Sequence, residues 1–241
     1  MPPFKGFVFD VDGTLIDSND AHAHAWRHAF LEGGLDIGFE PIRRLLGKGS
    51  DKLLAELTGL RPDSPRAKAL AERKTQIFKA HYLPRLKPFP HARDLLAHLR
   101  DRKIKLAVAT SASPDELDAL LEVVKARELF EIKVSAEDAG RSKPDPDSVS
   151  CALRKLALKP ADCVMVGDTP YDAAAAKAAG VRFIGLRCGG WRDADLQPAI
   201  AVYSAPAQLL RELKVSTREE DVLPSRRIGL SEAGGPYRHR D

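Results

Sequence analysis

The stretch FVFDVDGT, residues 7–14, sets Asp10 and Asp12 two positions apart where an apolar run ends, with Gly13 and Thr14 turning the chain behind them. Carboxylates this close raise one another's pKa unless a cation or a division of labour resolves the conflict. Three later runs lead into comparable residues: Thr110 and Ser111 in AVATS, Lys143 in RSKPDPD, and Asp168 and Asp172 in VMVGDTPYD. Hard cations such as Mg2+ take carboxylate and carbonyl oxygens and bind substrate phosphates. Asp10, Asp168 and the backbone carbonyl of Asp12 are therefore a candidate metal site. A lysine balances an aspartate nucleophile and a phosphate. The Thr14 hydroxyl and the N–H groups of the turn at Asp12, Gly13 and Thr14 would complete a phosphate cradle. One aspartate can act as a covalent nucleophile. The other, with a pKa above the ordinary value of about 4, can protonate the leaving oxygen and later activate water.

The elements that must position these residues follow from alternation. Short apolar runs at 4–10, 105–110, 132–135, 163–168, 182–186 and 201–203 alternate with helix-like segments, which is the pattern of a parallel sheet with helices on both faces. Such sheets bind ligands beyond the carboxyl ends of their strands, where all four stretches fall. The fold expected is α/β. Residues 17–87, between the first two strands, are too long for an ordinary crossover and read as an inserted helical cap. Its hinges are placed near Asp17 and Ser18 and in YLPRLKPFPHA, where Pro84, Pro88 and Pro90 interrupt helix. The sheet-bearing core then comprises residues 1–16 and 88–215. Residues 216–241, polar and rich in Gly and Arg, read as an appendage.

The ordered set DVDGT, AVATS, SKPDPD and VGDTPYD resembles the four-motif signature of the haloacid dehalogenase-like hydrolases, in particular the helical-cap branch of phosphoglycolate phosphatases and β-phosphoglucomutases. The resemblance spans residues 4 to about 213. It implies a Rossmann-like core with a cap, an Asp10 nucleophile that also binds Mg2+, and Asp12 as general acid/base. It further implies that Thr110 binds phosphate, Lys143 stabilises nucleophile and phosphate, Asp168 holds Mg2+, and Asp172 supports the metal shell or Lys143. The reaction implied is Mg2+-dependent hydrolysis of a small phosphate ester through an aspartyl-phosphate. The alternative is a sugar-phosphate mutase, against which Gly167 stands where the mutases carry an acid and Ser50 where they carry an arginine. A dehalogenase would need neither Mg2+ nor an acid at position 12. A receiver-like or catalytically dead regulatory protein would lack the cap or a motif residue.

Several residues have two readings. Asp172 is also a favourable first-turn acid of a helix begun by Thr169 and Pro170. Ser113 heads SPDE, a capping box with Glu116, so it is assigned to capping and Ser111 kept as a secondary phosphate contact. Asp147 is expected to cap the helix after it. His22 is a substrate-side candidate because phosphoglucomutase-like relatives carry a facing histidine there. His24 and His28 lack a third metal ligand, and Trp26 is read as cap packing. In LLGKGSD, Lys48 is either brought over an anionic substrate or left exposed between a helix C-cap and an N-cap at Ser50. Arg43 and Arg44 are further cationic candidates.

Bulk properties bound the rest. The chain has 241 residues, 44% of them hydrophobic, and a net charge of +4 from 38 basic and 34 acidic residues, with no block long enough for a nucleic-acid footprint. Cys151, Cys163 and Cys188 lack zinc spacing and are odd in number, which suits a reducing cytoplasm. No run approaches the roughly 20 apolar residues that cross a bilayer. A cytoplasmic monomer or homodimer without nucleic-acid or membrane partners is expected.

Overall fold

The computed structural model describes residues 4–222. A parallel sheet of six strands forms in the order β3-β2-β1-β4-β5-β6. The strands are β1 (Gly6–Phe9), β2 (Lys105–Ala109), β3 (Ile132–Val134), β4 (Cys163–Gly167), β5 (Arg182–Leu186) and β6 (Ala199–Tyr203). β1, GFVF, is buried on both faces, which is why it is a continuous apolar run without alternation. The strand order reverses beside β1 and β4, and their carboxyl ends are where a doubly wound sheet opens its ligand crevice.

Between β1 and β2 the chain forms α1 (Asn19–Glu32), α2 (Phe39–Arg43), α3 (Ser50–Thr58), α4 (Pro65–Ile77) and α5 (Ala92–Asp101). α6 (Pro114–Val124), α7 (Asp147–Leu156), α8 (Pro170–Ala178) and α9 (Pro206–Val222) follow β2, β3, β4 and β6. Helix starts are written in the sequence: Ser64, Ser113 and Thr169 each accept a backbone N–H from the first turn, and each is followed by proline at the first helical position. Past α4 the helix widens over Phe78–Tyr82 and tightens over Leu83–Arg85, ending at the prolines. α9 runs to Val222, into the segment read as an appendage, and residues 223–241 of that segment lie outside the described residues.

One apolar cluster, with Phe7, Phe9, Leu95, Leu96, Leu106 and Leu120, covers one face of the sheet. Val8, Ala107, Cys151 and Ala152, and beside them Met165, Val149, Ala173 and Phe183, fill the other. The helices between β1 and α5 have a cluster of their own, in which Trp26 and Phe30 pack with Ile42, Leu53 and Leu70. Two chain segments join these helices to the sheet side by side. Asp17 N–H donates to Lys87 O at 3.1 Å and Phe89 N–H to Leu15 O at 2.9 Å. Among the described residues, no helix is long and apolar enough to cross a membrane.

Candidate active site

At the carboxyl ends of β1 and β4, side chains from distant parts of the sequence converge. Lys143, 1% exposed, donates from Nζ to Asp10 Oδ1 at 2.6 Å and pairs with Asp172 Oδ1 at 2.8 Å. Asp172 Oδ2 accepts from the Thr169 N–H at 3.1 Å and from its hydroxyl at 2.7 Å. Asp172 therefore fills both roles read for it, capping α8 and holding Lys143. Asp168 Oδ1 accepts from the Thr14 hydroxyl at 2.9 Å and Oδ2 from Asn19 Nδ2 at 2.9 Å.

Asp10, Asp168 and Asp172 each offer a carboxylate oxygen, and these atoms lie within 4.8 Å of one another, all buried. Burial pushes Asp10 well above the carboxylate range despite the Lys143 ammonium, with Asp172 and Asp168 adding to the rise. Burial, and then the Asp172 charge, push Asp168 up to about 7. Lys143 is raised, since its two carboxylates outweigh its burial. Three buried carboxylates against one ammonium leave negative charge that a hard dication fits, and the oxygen-only donor set matches the chemistry of Mg2+.

Asp12 belongs to a different network. Its Oδ1 accepts from the Ser18 hydroxyl at 2.5 Å and lies 2.9 Å from His22 Nε2. Burial would raise Asp12, but the His22 charge and the hydrogen bonds from His22 and Ser18 outweigh it and bring the carboxyl below its ordinary value. The expectation of a raised acid at this position is thus reversed in direction, because it ignored both partners. His22 stacks on Phe78, ring centroids 4.0 Å apart, and turns Nδ1 towards Glu116 Oε1 at 3.7 Å. Its nitrogens face the carboxylates of Asp12 and Glu116, and the residue lines a cavity shared with Asp10 and Asp12.

A cavity of about 290 Å³ opens above these groups, bounded on one side by Asp10, Asp12, Thr110 and Ser111 and on the other by residues of α1, α3 and α4. Gly13 and Thr14 do not line it. The Gly13 N–H donates to Ile16 O and the Thr14 N–H to Val11 O inside the turn, while the Thr14 hydroxyl serves Asp168. Two of the N–H groups read as a phosphate cradle, those of Gly13 and Thr14, are thus taken up within the turn. Gly13 has φ +74°, and a Cβ there would meet Asn19 and Asp168, so the position demands glycine. The Thr110 hydroxyl accepts from the Ala112 N–H at 3.1 Å.

Lys48 reaches the cavity wall, with its ammonium on Glu56 and 4.9 Å above the Tyr171 ring. Ser50 is the first residue of α3 and Gly49 its cap, with no hydroxyl contact made to the helix end. Arg43 is turned to Asp20 at 2.8 Å and Gly189 O at 2.5 Å, and the Arg44 carbonyl accepts from the Tyr171 hydroxyl. Neither arginine lines this cavity. His24 packs near Phe39 and Tyr82.

Two capping readings change. Pro146, not Asp147, precedes α7, and Asp147 pairs with Arg141 at 3.0 Å. Ser113 accepts from Glu116 N–H as expected, but the Glu116 carboxylate leaves the box for Lys74 Nζ, 3.3 Å away. Asn19, Lys74 and Glu116 went unread as site residues, although an amide right after the hinge and an acid just past AVATS were visible signals.

Comparison with known proteins agrees with this geometry. A family model described as haloacid dehalogenase-like hydrolase matches residues 7–186. A phosphoglycolate phosphatase of Nitrosospira multiformis is 34% identical over 186 residues, 74% of this chain and 81% of that protein. The fructose-1-phosphate phosphatase YqaB of Escherichia coli is 27% identical over 184 residues, 76% of this chain and 97% of its own. A hydrolase from Pseudomonas syringae of known structure superposes with a TM-score of 0.82 at 29% identity, covering 88% of this chain and 98% of that one.

Proposed function

The chain belongs to the haloacid dehalogenase-like hydrolase family and is a phosphoric monoester hydrolase, and from that premise we propose that it hydrolyses a small sugar phosphate or phosphoglycolate-type ester through an aspartyl-phosphate on Asp10, with Mg2+ as cofactor. The observation that carries this reading is the division of the two aspartates. Asp10 is held by Lys143 at 2.6 Å in the buried acidic cluster, and Asp12 by Ser18 and His22 at the cavity.

In the first step an Asp10 carboxylate oxygen attacks phosphorus, the bond from phosphorus to the ester oxygen breaks, and Asp12 delivers a proton to that oxygen. Asp12 sits below its ordinary pKa before substrate arrives, and an adjacent phosphate dianion raises it, so that it takes up the proton it later gives. In the second step Asp12 removes a proton from water, water oxygen attacks phosphorus, and the Asp10–phosphorus bond breaks to release phosphate. Lys143 opposes the rise that burial imposes on Asp10, favouring its carboxylate form, and orients it through the 2.6 Å hydrogen bond. Asp10, Asp168 and the Asp12 carbonyl are the groups that would hold Mg2+, with Asp172 behind them on Lys143, and the ion when bound would supply charge neutralisation for the phosphoryl oxygens. Thr110 and Ser111, which line the cavity beside Asp10 and Asp12, are the remaining phosphate contacts in this reading. The helices over residues 17–87 act as the cap that covers the ester.

Phosphatase is favoured over mutase by the surroundings of Gly167. A Cβ there would lie 2.6 Å from Asp172 Cγ, so an acid at 167 has no room beside Asp172. The test is Asp10→Asn with p-nitrophenyl phosphate and circular dichroism. Loss of turnover in a folded variant is expected; near-normal turnover would remove Asp10 as nucleophile.

A further inference from the structure

The cavity that Asp10 lines also carries a buried ion pair that the reaction at Asp10 does not use. Lys74 of α4 and Glu116 of α6 face each other with Nζ and Oε1 3.3 Å apart, their side chains 11% and 7% exposed. The ammonium lies 5.0 Å from the Phe78 ring centroid and 5.9 Å from that of Trp26, an apolar and aromatic setting with little water. Glu116 also faces His22 Nδ1, and His22 faces Asp12, so contacts run from the group that serves the leaving oxygen to this pair within one cavity. The pair thus lines the same cavity as the group that serves the leaving oxygen, within reach of what is esterified to the phosphate.

The charges there are already matched. Among the described residues, both lysine ammonium groups that line the cavity face a carboxylate, Lys74 on Glu116 and Lys48 on Glu56. The cavity also has Glu137 at its edge. A leaving group with a carboxylate or second phosphate would meet two acids and would have to pull a lysine from its partner in a poorly solvated place, which like-charge repulsion and desolvation oppose. A hydroxyl, by contrast, donates to Glu116 and accepts from Lys74 without disturbing either charge.

We propose that the Glu116–Lys74 pair reads the hydroxyls of an uncharged polyol or sugar leaving group, with Glu116 a specificity-determining residue that rejects phosphate esters bearing a second anion. This rests on the phosphatase reading above and selects within it.

The probes are 2-hydroxyethyl phosphate and phosphoglycolate, which differ at one carbon by a hydroxyl in place of a carboxylate, together with hexose 6-phosphates. Wild-type enzyme should favour 2-hydroxyethyl phosphate over phosphoglycolate by at least about tenfold in kcat/KM, since a site built for one polar group rejects its misfit strongly. Glu116→Gln frees the Lys74 ammonium and should shrink that ratio at least about tenfold, through a lower KM for phosphoglycolate. Lys74→Met should raise KM for the hexose phosphates without improving phosphoglycolate. A wild-type preference for phosphoglycolate, or an unchanged ratio in folded Glu116→Gln, overturns the proposal. Should Glu116→Gln fail to fold by circular dichroism, the wild-type ratio and Lys74→Met decide alone. Failure of the phosphatase reading shows separately, as phosphate release from both esters that survives Asp10→Asn.

Discussion

Asp10 and Asp12 are two positions apart yet share no partner, and that separation is what allows each its own protonation. Asp10 sits among buried acids with Lys143 as its countercharge, whereas Asp12 is drawn to Ser18 and His22 at the start of α1. An amide at position 12 would still accept from Ser18 and would leave its backbone carbonyl in place, but it could not shuttle a proton. Asp12→Asn should therefore lower kcat by about 10²–10⁴, the usual worth of general acid/base catalysis, while the Mg2+ concentration for half-activation of the residual turnover moves less than about threefold. A loss of Mg2+ affinity as large as the loss of kcat would instead make the Asp12 carboxylate a metal ligand. Steady-state rates titrated with Mg2+ separate the two.

The strands were legible because a parallel strand covered on both faces must be apolar along its length, and GFVF, KLAVA and CVMVG announce themselves. Helix starts at Ser113 and Thr169 were legible because the cap and the proline are adjacent in sequence. What stayed hidden depends on contacts that sequence spacing does not encode. Asn19 serves Asp168 across 149 positions, and Glu116 abandons its local box for Lys74, 42 positions away. Asp138 was unread for the same reason. It closes the short helical turn after β3 by accepting from the Ser135 N–H at 3.0 Å and hydroxyl at 2.9 Å, and it ties that turn to α7 through Lys155 at 2.7 Å. The Lys155 hydrogen bond, then that of Ser135, lower Asp138 to about 2. A depressed carboxylate contributes stability that is present above its unfolded value of 3.8 and is lost as pH falls through about 2. With its side chain 34% exposed, the contribution is discounted to about 1 kcal/mol. Asp138→Asn should lower stability by about that amount at pH 7, and the gap from wild type should narrow steadily below pH 4 in urea titrations. A gap independent of pH would mean that the carboxylate charge contributes nothing.

At the scale of the molecule, the acidic cluster is where the sheet, the turn after β1 and the helices over residues 17–87 all meet. Asn19 of α1 reaches Asp168 beyond β4, Lys52 of α3 donates to Ser142 O at 2.5 Å and Asp145 at 2.6 Å, and Asp51 accepts from the Ser142 hydroxyl at 2.8 Å. The loop carrying Lys143 is thus held by α3, and the Asp168 side chain by α1. Charge imbalance in the cluster consequently strains the whole assembly, since three carboxylates share one lysine in a place that excludes water. A ligand that binds only the folded state stabilises it by about 2.7 kcal/mol at a hundredfold excess over its Kd, and a domain of this size shifts by about 2–4 °C per kcal/mol. Saturating Mg2+ should accordingly raise Tm by about 5–10 °C relative to EDTA, more at pH 8 than at pH 5.5 because protons compete for the same carboxylates. Asp168→Asn should remove most of that shift while leaving the EDTA baseline equal to wild type or higher, since it takes one negative charge from a cluster with too many. A Tm indifferent to Mg2+ at both pH values in scanning calorimetry would refute the cluster as a cation site, whatever the activity assays showed.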